Sequence, residues 1–135
     1  MSPGTNKAIV RRFIEEVLND GNLEVSNDLV AEDFIAHPSP TAGPAGLAGV
    51  KEFAAAQRAA APDWHITIQD IFAEGDKVVV RAFGRGTPRR AYFGIAPSKE
   101  PITIPWIAMY RVAGGKIAER WTYAQMPERE TPPPR

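Results

Sequence analysis

The sequence predicts an α+β domain: three N-terminal helices packed on one face of a curved, mostly antiparallel sheet. Three observations carry this. Apolar residues recur at three- and four-residue spacing in the first half of the chain, and they alternate at a spacing of two in the second half. Helices come first and strands afterwards, the order of an α+β layer fold. The 135 residues, 44% of them hydrophobic, suffice for one domain with a single core.

Each element follows in order. From Lys7 to Asp20 the residues Ile9, Val10, Phe13, Ile14, Val17 and Leu18 form one helical stripe, with Thr5 or Asn6 as cap and Gly21 as terminator. "LEVSNDLV" reads as a short second helix. "DFIAHPSPTAGPAG" reads as a loop, because Pro and Gly punctuate it. Leu47, Val50, Phe53 and Ala54 mark a third helix through "GLAGVKEFAAAQRAAA", stopping near Pro62. "HITIQDIFA" and "KVVVRAFGRG" are strands around the turn "EGD". "TPRRAYFGIAPSKE" is a long connection. "PITIPWIAMYRV" and "KIAERWTYAQ" form a second hairpin. The domain is expected to span 1–126, with 127–135 a disordered Pro-rich tail.

The second hairpin is the most informative stretch. "AGG" suits a three-residue loop with Gly115 left-handed. Val112 then faces Lys116, Tyr110 faces Ala118, Ala108 faces Arg120 and Trp106 faces Thr122. Alternation puts these on one side, and Ile107, Met109, Glu119, Trp121 and Tyr123 on the other. A one-residue slip in the turn would change this pairing.

Composition excludes several classes. Lys+Arg and Asp+Glu both number 16, which argues against nucleic-acid or anionic-membrane binding, since phosphate contacts need a basic excess. With no cysteine there are no disulfides, thiolate metal sites or Cys nucleophile. No His/Asp/Glu cluster has metal spacing. No apolar run approaches the ~18 residues of a membrane span, and "MSPGTNKAIVRR" lacks the apolar stretch of a secretory signal. The cytoplasm is the default compartment.

Four stretches in order, "EDFIAHPSP", "AEGDKVVVRAFGRGT", "FGIAPSKEPI" and "YRVAGGKIAERW", resemble the SnoaL-like polyketide cyclases of the nuclear-transport-factor-2-like superfamily. The resemblance spans roughly Asn6 to Gln125. It implies a cone-shaped α+β barrel with an apolar cavity, a homodimer through the other sheet face, and chemistry without metal or cofactor. In that family a His and an Asp on the last two strands move the proton in an aldol ring closure. Their positions here hold Ala108 and Thr122, and neither side chain can serve as a base at neutral pH. The epoxide hydrolases of this fold use an Asp–Arg–Asp set. Arg81 matches the Arg, but Phe83 and Thr122 hold the acid positions.

The remaining candidates are weighed on residue type. Arg81 is either half of a structural salt bridge, with Glu119 or another carboxylate, or a cavity cation that polarises an oxygen. His37 is the better placed of the two histidines as a base; the alternative is a His bonded to backbone beside a Pro turn. His65, at the start of a strand, is expected to be exposed. Trp64, Phe83, Trp106 and Tyr110 could sandwich a planar ligand or be ordinary core. Asp33, Asp63 and Asp70 are weaker carboxylate candidates. Ala108, Arg120 and Thr122 complete the expected substrate-binding face.

These observations favour a cofactor-independent cyclase or isomerase acting on an apolar, carbonyl-bearing substrate. A non-catalytic module that keeps the binding cavity is the alternative. A structural dimerisation domain would need that cavity filled.

Overall fold

The computed structural model describes residues 2–37, 45–91 and 95–125. Residues 1, 38–44, 92–94 and 126–135 lie outside them, so the expectation of a disordered tail falls outside the described residues.

Helix α1 spans Pro3–Arg12. Ser2 caps it, its Oγ accepting from the Thr5 N–H at 3.1 Å, and Pro3 stands at the first position, where a missing N–H costs nothing. The helix therefore starts a turn earlier than the expected Thr5/Asn6 cap, and Asn6 is buried within it. It widens over Phe13–Asn19 into a π-helix, marked by the bond from the Asp20 N–H to the Glu15 carbonyl. Gly21 at φ 71° then turns the chain, a conformation that glycine adopts without steric cost. A 3₁₀ turn at Leu23–Val25 leads into α2, Ser26–Leu29.

Strand β1, Val30–His37, replaces most of the expected loop before Pro38. Its partner lies at the far end of the sequence, so no local hairpin signal announces it. Helix α3 spans Gly46–Ala60. Strands β2 (His65–Glu74), β3 (Lys77–Gly86), β4 (Ile102–Ala113) and β5 (Lys116–Ala124) follow close to the expected bounds. The sheet order is β1-β5-β4-β3-β2. It is mixed and open: β1 pairs parallel with β5, and the other pairs are antiparallel.

Alternation along β3 and β4 sorts the two faces. Val78, Val80 and Ala82 join Ile104, Ala108, Tyr110 and Val112 in the core on the inner face. The helices cover that face, α1 against β2 and β3 and α3 against β1, through Val10, Phe13, Ile14, Val17, Val50 and Ala54.

The second hairpin departs from its expected turn. Ala113 pairs with Lys116 around a two-residue loop, Gly114 and Gly115, both left-handed at φ 59° and 79°. Such primed turns match the strand twist, and glycine adopts them without strain. A bulge follows. Arg111 pairs with Glu119 and Val112 with Ile117, leaving Ala118 as the extra residue. The bulge re-phases β5, so Ile117 and Arg120 both turn inward while Glu119 turns outward.

Two contacts fix the free side of β2. The Asn19 amide donates to the Ile66 carbonyl at 2.9 Å, and the Ile66 N–H donates to Asn19 Oδ1 at 2.7 Å. At its start, Trp64 lies across Gly84 and Gly86 of β3; a Cβ on Gly84 would overlap the indole, and one on Gly86 would stand 2.9 Å from Trp64 Cα. Gly84→Ala should therefore destabilise the protein by about 1–3 kcal/mol through overpacking. Chemical denaturation checks this, and an unchanged midpoint would show that Trp64 yields freely.

Candidate active site

The inner face of β4 and β5 brings five of the expected ligand-binding residues together. Tyr110 stands directly opposite Arg120, Ala108 opposite Thr122, and Trp106 opposite Ala124. The Tyr110–Arg120 row extends to Val78 on β3 and Ala36 on β1. Trp106 is half-buried against the core, and Ala108 and Tyr110 are fully buried. The expected register, Ala108 opposite Arg120, is corrected by the shorter turn and the Ala118 bulge. The side of the sheet is as expected for all five.

Arg120 is the exceptional group. The residue as a whole is half-buried, yet its Nε is wholly buried and makes no hydrogen bond among the described residues. Its guanidinium carbon lies 5.7 Å from the centre of the Phe34 ring, a cation–π contact. Among the described residues no carboxylate is within ion-pair distance of it. Burial pulls its pKa below the usual guanidinium value, because desolvation penalises the charged form. The Thr122 hydroxyl, two residues on and on the same face, is also buried without a partner. Tyr110 sits edge-on to Phe13 at 6.4 Å. Burial raises its phenol pKa while the Arg120 charge pulls the other way, so the hydroxyl stays protonated at neutral pH.

The structure places the other expected site residues elsewhere. Arg81 alternates with the buried Val80 and Ala82, so it projects from the outer face. There it donates to Asp70 Oδ2 at 2.6 Å and to Gln69 Oε1 at 3.2 Å. That is the salt-bridge alternative, with Asp70 as the carboxylate. Phe83 shares the outer face, half-buried opposite Thr67 and Pro105. His37 pairs with Trp121 in the β1–β5 register and so also faces outward. Its Nε2 lies 2.6 Å from Glu119 Oε2, and its ring stacks on Trp121 at 5.3 Å. Neither Arg81 nor His37 shares the face of Arg120. Trp64 does lie on the inner side, but over the β3 glycines. His65 is exposed, as expected. Asp63 accepts from the Thr87 N–H at 2.8 Å, which holds its carboxyl below the ordinary value.

Sequence reasoning missed Phe34. Reading β1 as a strand would have put Phe34 and Ala36 on one side of it, but not beside β5. Among the described residues, no group of three or more His, Cys, Asp or Glu could hold a metal ion, and no helix is long and apolar enough to cross a membrane.

Glu119 ties the outer cluster, accepting also from Arg111 Nε at 3.1 Å. The bond to His37 and then that to Arg111 hold its carboxyl below the ordinary glutamate value. A depressed folded-state pKa contributes stability that is present above the unfolded value and is lost as pH falls through the folded one. Glu119→Gln should thus flatten the acid limb of the stability curve below the ordinary glutamate value of 4.5. Thermal melts between pH 3 and 7 check this; an unaltered acid limb would show that the cluster adds nothing.

Comparison with known proteins agrees with this architecture. Wild-type IdmH from Streptomyces antibioticus, described as a candidate polyketide cyclase, superposes with a TM-score of 0.75 at 28% identity, covering 88% of this chain and 91% of its own. A candidate polyketide cyclase from Acidithiobacillus ferrooxidans gives 0.76 at 29% identity, covering 92% and 91%. TsrD from Streptomyces laurentii gives 0.82 at 20% identity, covering 92% and 90%, a likeness of fold alone. No curated protein matches the chain. The profile of the SnoaL-like polyketide cyclases matches residues 8–128, and with the helices, sheet and hairpin found where that resemblance implies, the chain belongs to the SnoaL-like polyketide cyclase family.

Proposed function

We propose that the protein is a cofactor-independent small-molecule enzyme of cyclase or isomerase type, acting on an apolar, carbonyl-bearing, polyketide-like substrate. The single observation that supports this most is the grouping of Trp106, Tyr110, Arg120 and Thr122 on one covered sheet face. Ala108 and Thr122 replace the family's acid–base pair, so catalysis rests on stabilising charge rather than on a dedicated base. A C–H bond beside the carbonyl breaks, its electron pair forms the enolate, and the proton leaves to water. Arg120 stabilises the enolate oxygen as charge develops there, the role that preorganised donors fill in oxyanion sites. Tyr110, whose phenol burial keeps protonated, donates its proton to the new alkoxide or carbon and regains one from the water that took the first, so no net proton is lost.

Deuterium exchange into 2-tetralone, followed by NMR, tests this without the natural substrate. The wild type should accelerate exchange beyond buffer, and Arg120→Met should return it to the buffer rate. Binding of 2-tetralone without accelerated exchange would establish the second reading, a non-catalytic binding module. That reading is favoured by one observation: none of Trp106, Ala108, Tyr110, Arg120 and Thr122 carries an imidazole or a carboxylate.

A homodimer through the outer sheet face accompanies this proposal. Ile35, Ile107 and Tyr123 are exposed there, at 50%, 48% and 75%, beside the half-buried Met109 and Trp121. Monomers seldom leave such an apolar patch uncovered. Light scattering should give about twice the 14.8 kDa chain mass at micromolar concentration, and a monomer would refute it.

A further inference from the structure

A neutral carbonyl satisfies a hydrogen-bond donor, but it does not neutralise a cation. Arg120 Nε is buried, and no described carboxylate pairs with the guanidinium. An isolated buried charge is costly, and native proteins keep one where something answers it. Thr122 adds a second buried polar group without a partner, on the same strand face. Residues i and i+2 of a strand lie about 7 Å apart, a span that an acceptor taking two bonds of about 2.9 Å can bridge. Around them stand Phe34, Ala36, Trp106 and Ala108, which offer apolar surface and no further charge. A phosphate monoester would bring a charge of about −1.5 to −2 to a single cation and leave the excess unpaired.

Resting on the binding face proposed above, we propose that the ligand of this protein is a free carboxylic acid on a flat apolar body, bound as its carboxylate by Arg120 and the Thr122 hydroxyl. The donors are the Arg120 Nε–H and the Thr122 O–H, and the acceptors are the two carboxylate oxygens, which leaves the terminal guanidinium N–H groups for the enolate oxygen of the reaction proposed above. The flat body lies along the Trp106–Ala108 side of the row.

The chain could supply an anion of its own only from outside the described residues. Segments 38–44 and 92–94 contain no Asp or Glu, whereas the tail holds Glu128 and Glu130. The test separates that source from an external acid.

Isothermal titration at pH 7 with 2-naphthoate and its neutral isostere 2-naphthamide reads the charge preference directly. The wild type should bind naphthoate at least tenfold more tightly than naphthamide. Arg120→Met should lose that preference while still binding naphthamide. Thr122→Val, which leaves the charge in place, should narrow the preference severalfold and serves as the independent variant if Arg120→Met misfolds. Equal binding of the two probes by the wild type overturns the inference and leaves the small-molecule site standing. A preference that persists in Arg120→Met overturns it too, because the acid then binds elsewhere. A preference that emerges only in Glu128→Gln/Glu130→Gln also overturns it, by assigning the counter-charge to the tail. Binding of neither probe at millimolar concentration removes the inference together with the site it rests on.

Discussion

Arg120→Met should yield a protein that is more stable and less active than the wild type. Methionine keeps much of the stem volume and removes a charge whose Nε has no partner among the described residues. Replacing buried ionic groups with well-packed apolar ones can stabilise by about 1–4 kcal/mol, and a half-buried charge answered only by the Phe34 ring should gain within that range. Activity should move the other way. Removing an oxyanion donor costs about 10²–10³ in rate, so exchange into 2-tetralone should fall to background. The opposed signs separate a functional cation from a structural one. Urea denaturation supplies the stability arm; a variant that unfolds earlier than the wild type would mean that Arg120 is paired in solution and holds the fold together.

Installing at residues 108 and 122 the acid–base pair that the family resemblance implies is the second large change. Ala108 and Thr122 are directly opposed, which places their Cβ atoms about 4.5–5.5 Å apart. Ala108→His with Thr122→Asp should therefore create a hydrogen-bonded imidazole–carboxylate pair beside Arg120. Ala108 is fully buried, so the imidazole must displace its neighbours at a cost of about 1–3 kcal/mol. A positioned general base contributes about 10²–10⁴-fold, and 2-tetralone exchange should rise within that range and acquire a pH dependence absent from the wild type. NMR titration of the introduced ring is the direct check. A ring that titrates as a freely exposed imidazole would place residue 108 on the wrong face and undo the reading of a lost catalytic pair.

The hairpin shows what local sequence carries and what it does not. Alternation within each strand grouped Trp106, Ala108 and Tyr110 on one side of β4, and Arg120 and Thr122 on one side of β5, because parity alone sets side-chain direction along a strand. Cross-strand pairing depends on turn length and bulges as well. Here both Gly114 and Gly115 lie in the turn, and Ala118 bulges. One deviation without the other would have sent Arg120 outward; together they restored its side and changed its partner. Arg81 stayed open between two readings for a different reason. Val79, Arg81 and Phe83 read equally well as a pocket or as an outer face covered by salt bridges, and only the packing of α1 on Val78, Val80 and Ala82 decides between them. His37 sits in a stretch whose partner, Glu119, is most of the chain away. No local pattern encodes a parallel pairing of that range, and the same gap hid Phe34.

The Asn19 amide bears on how copies of this protein can meet. By giving and receiving one hydrogen bond each with the Ile66 backbone, it acts as a single rung of an additional strand. The extra residue Gln69 then interrupts the ladder three positions later. An incoming strand would find its first rung taken and the next stretch bent away, which is how native sheets forestall edge-to-edge growth and fibre formation. The β2 border is thus closed to strand addition near Ile66.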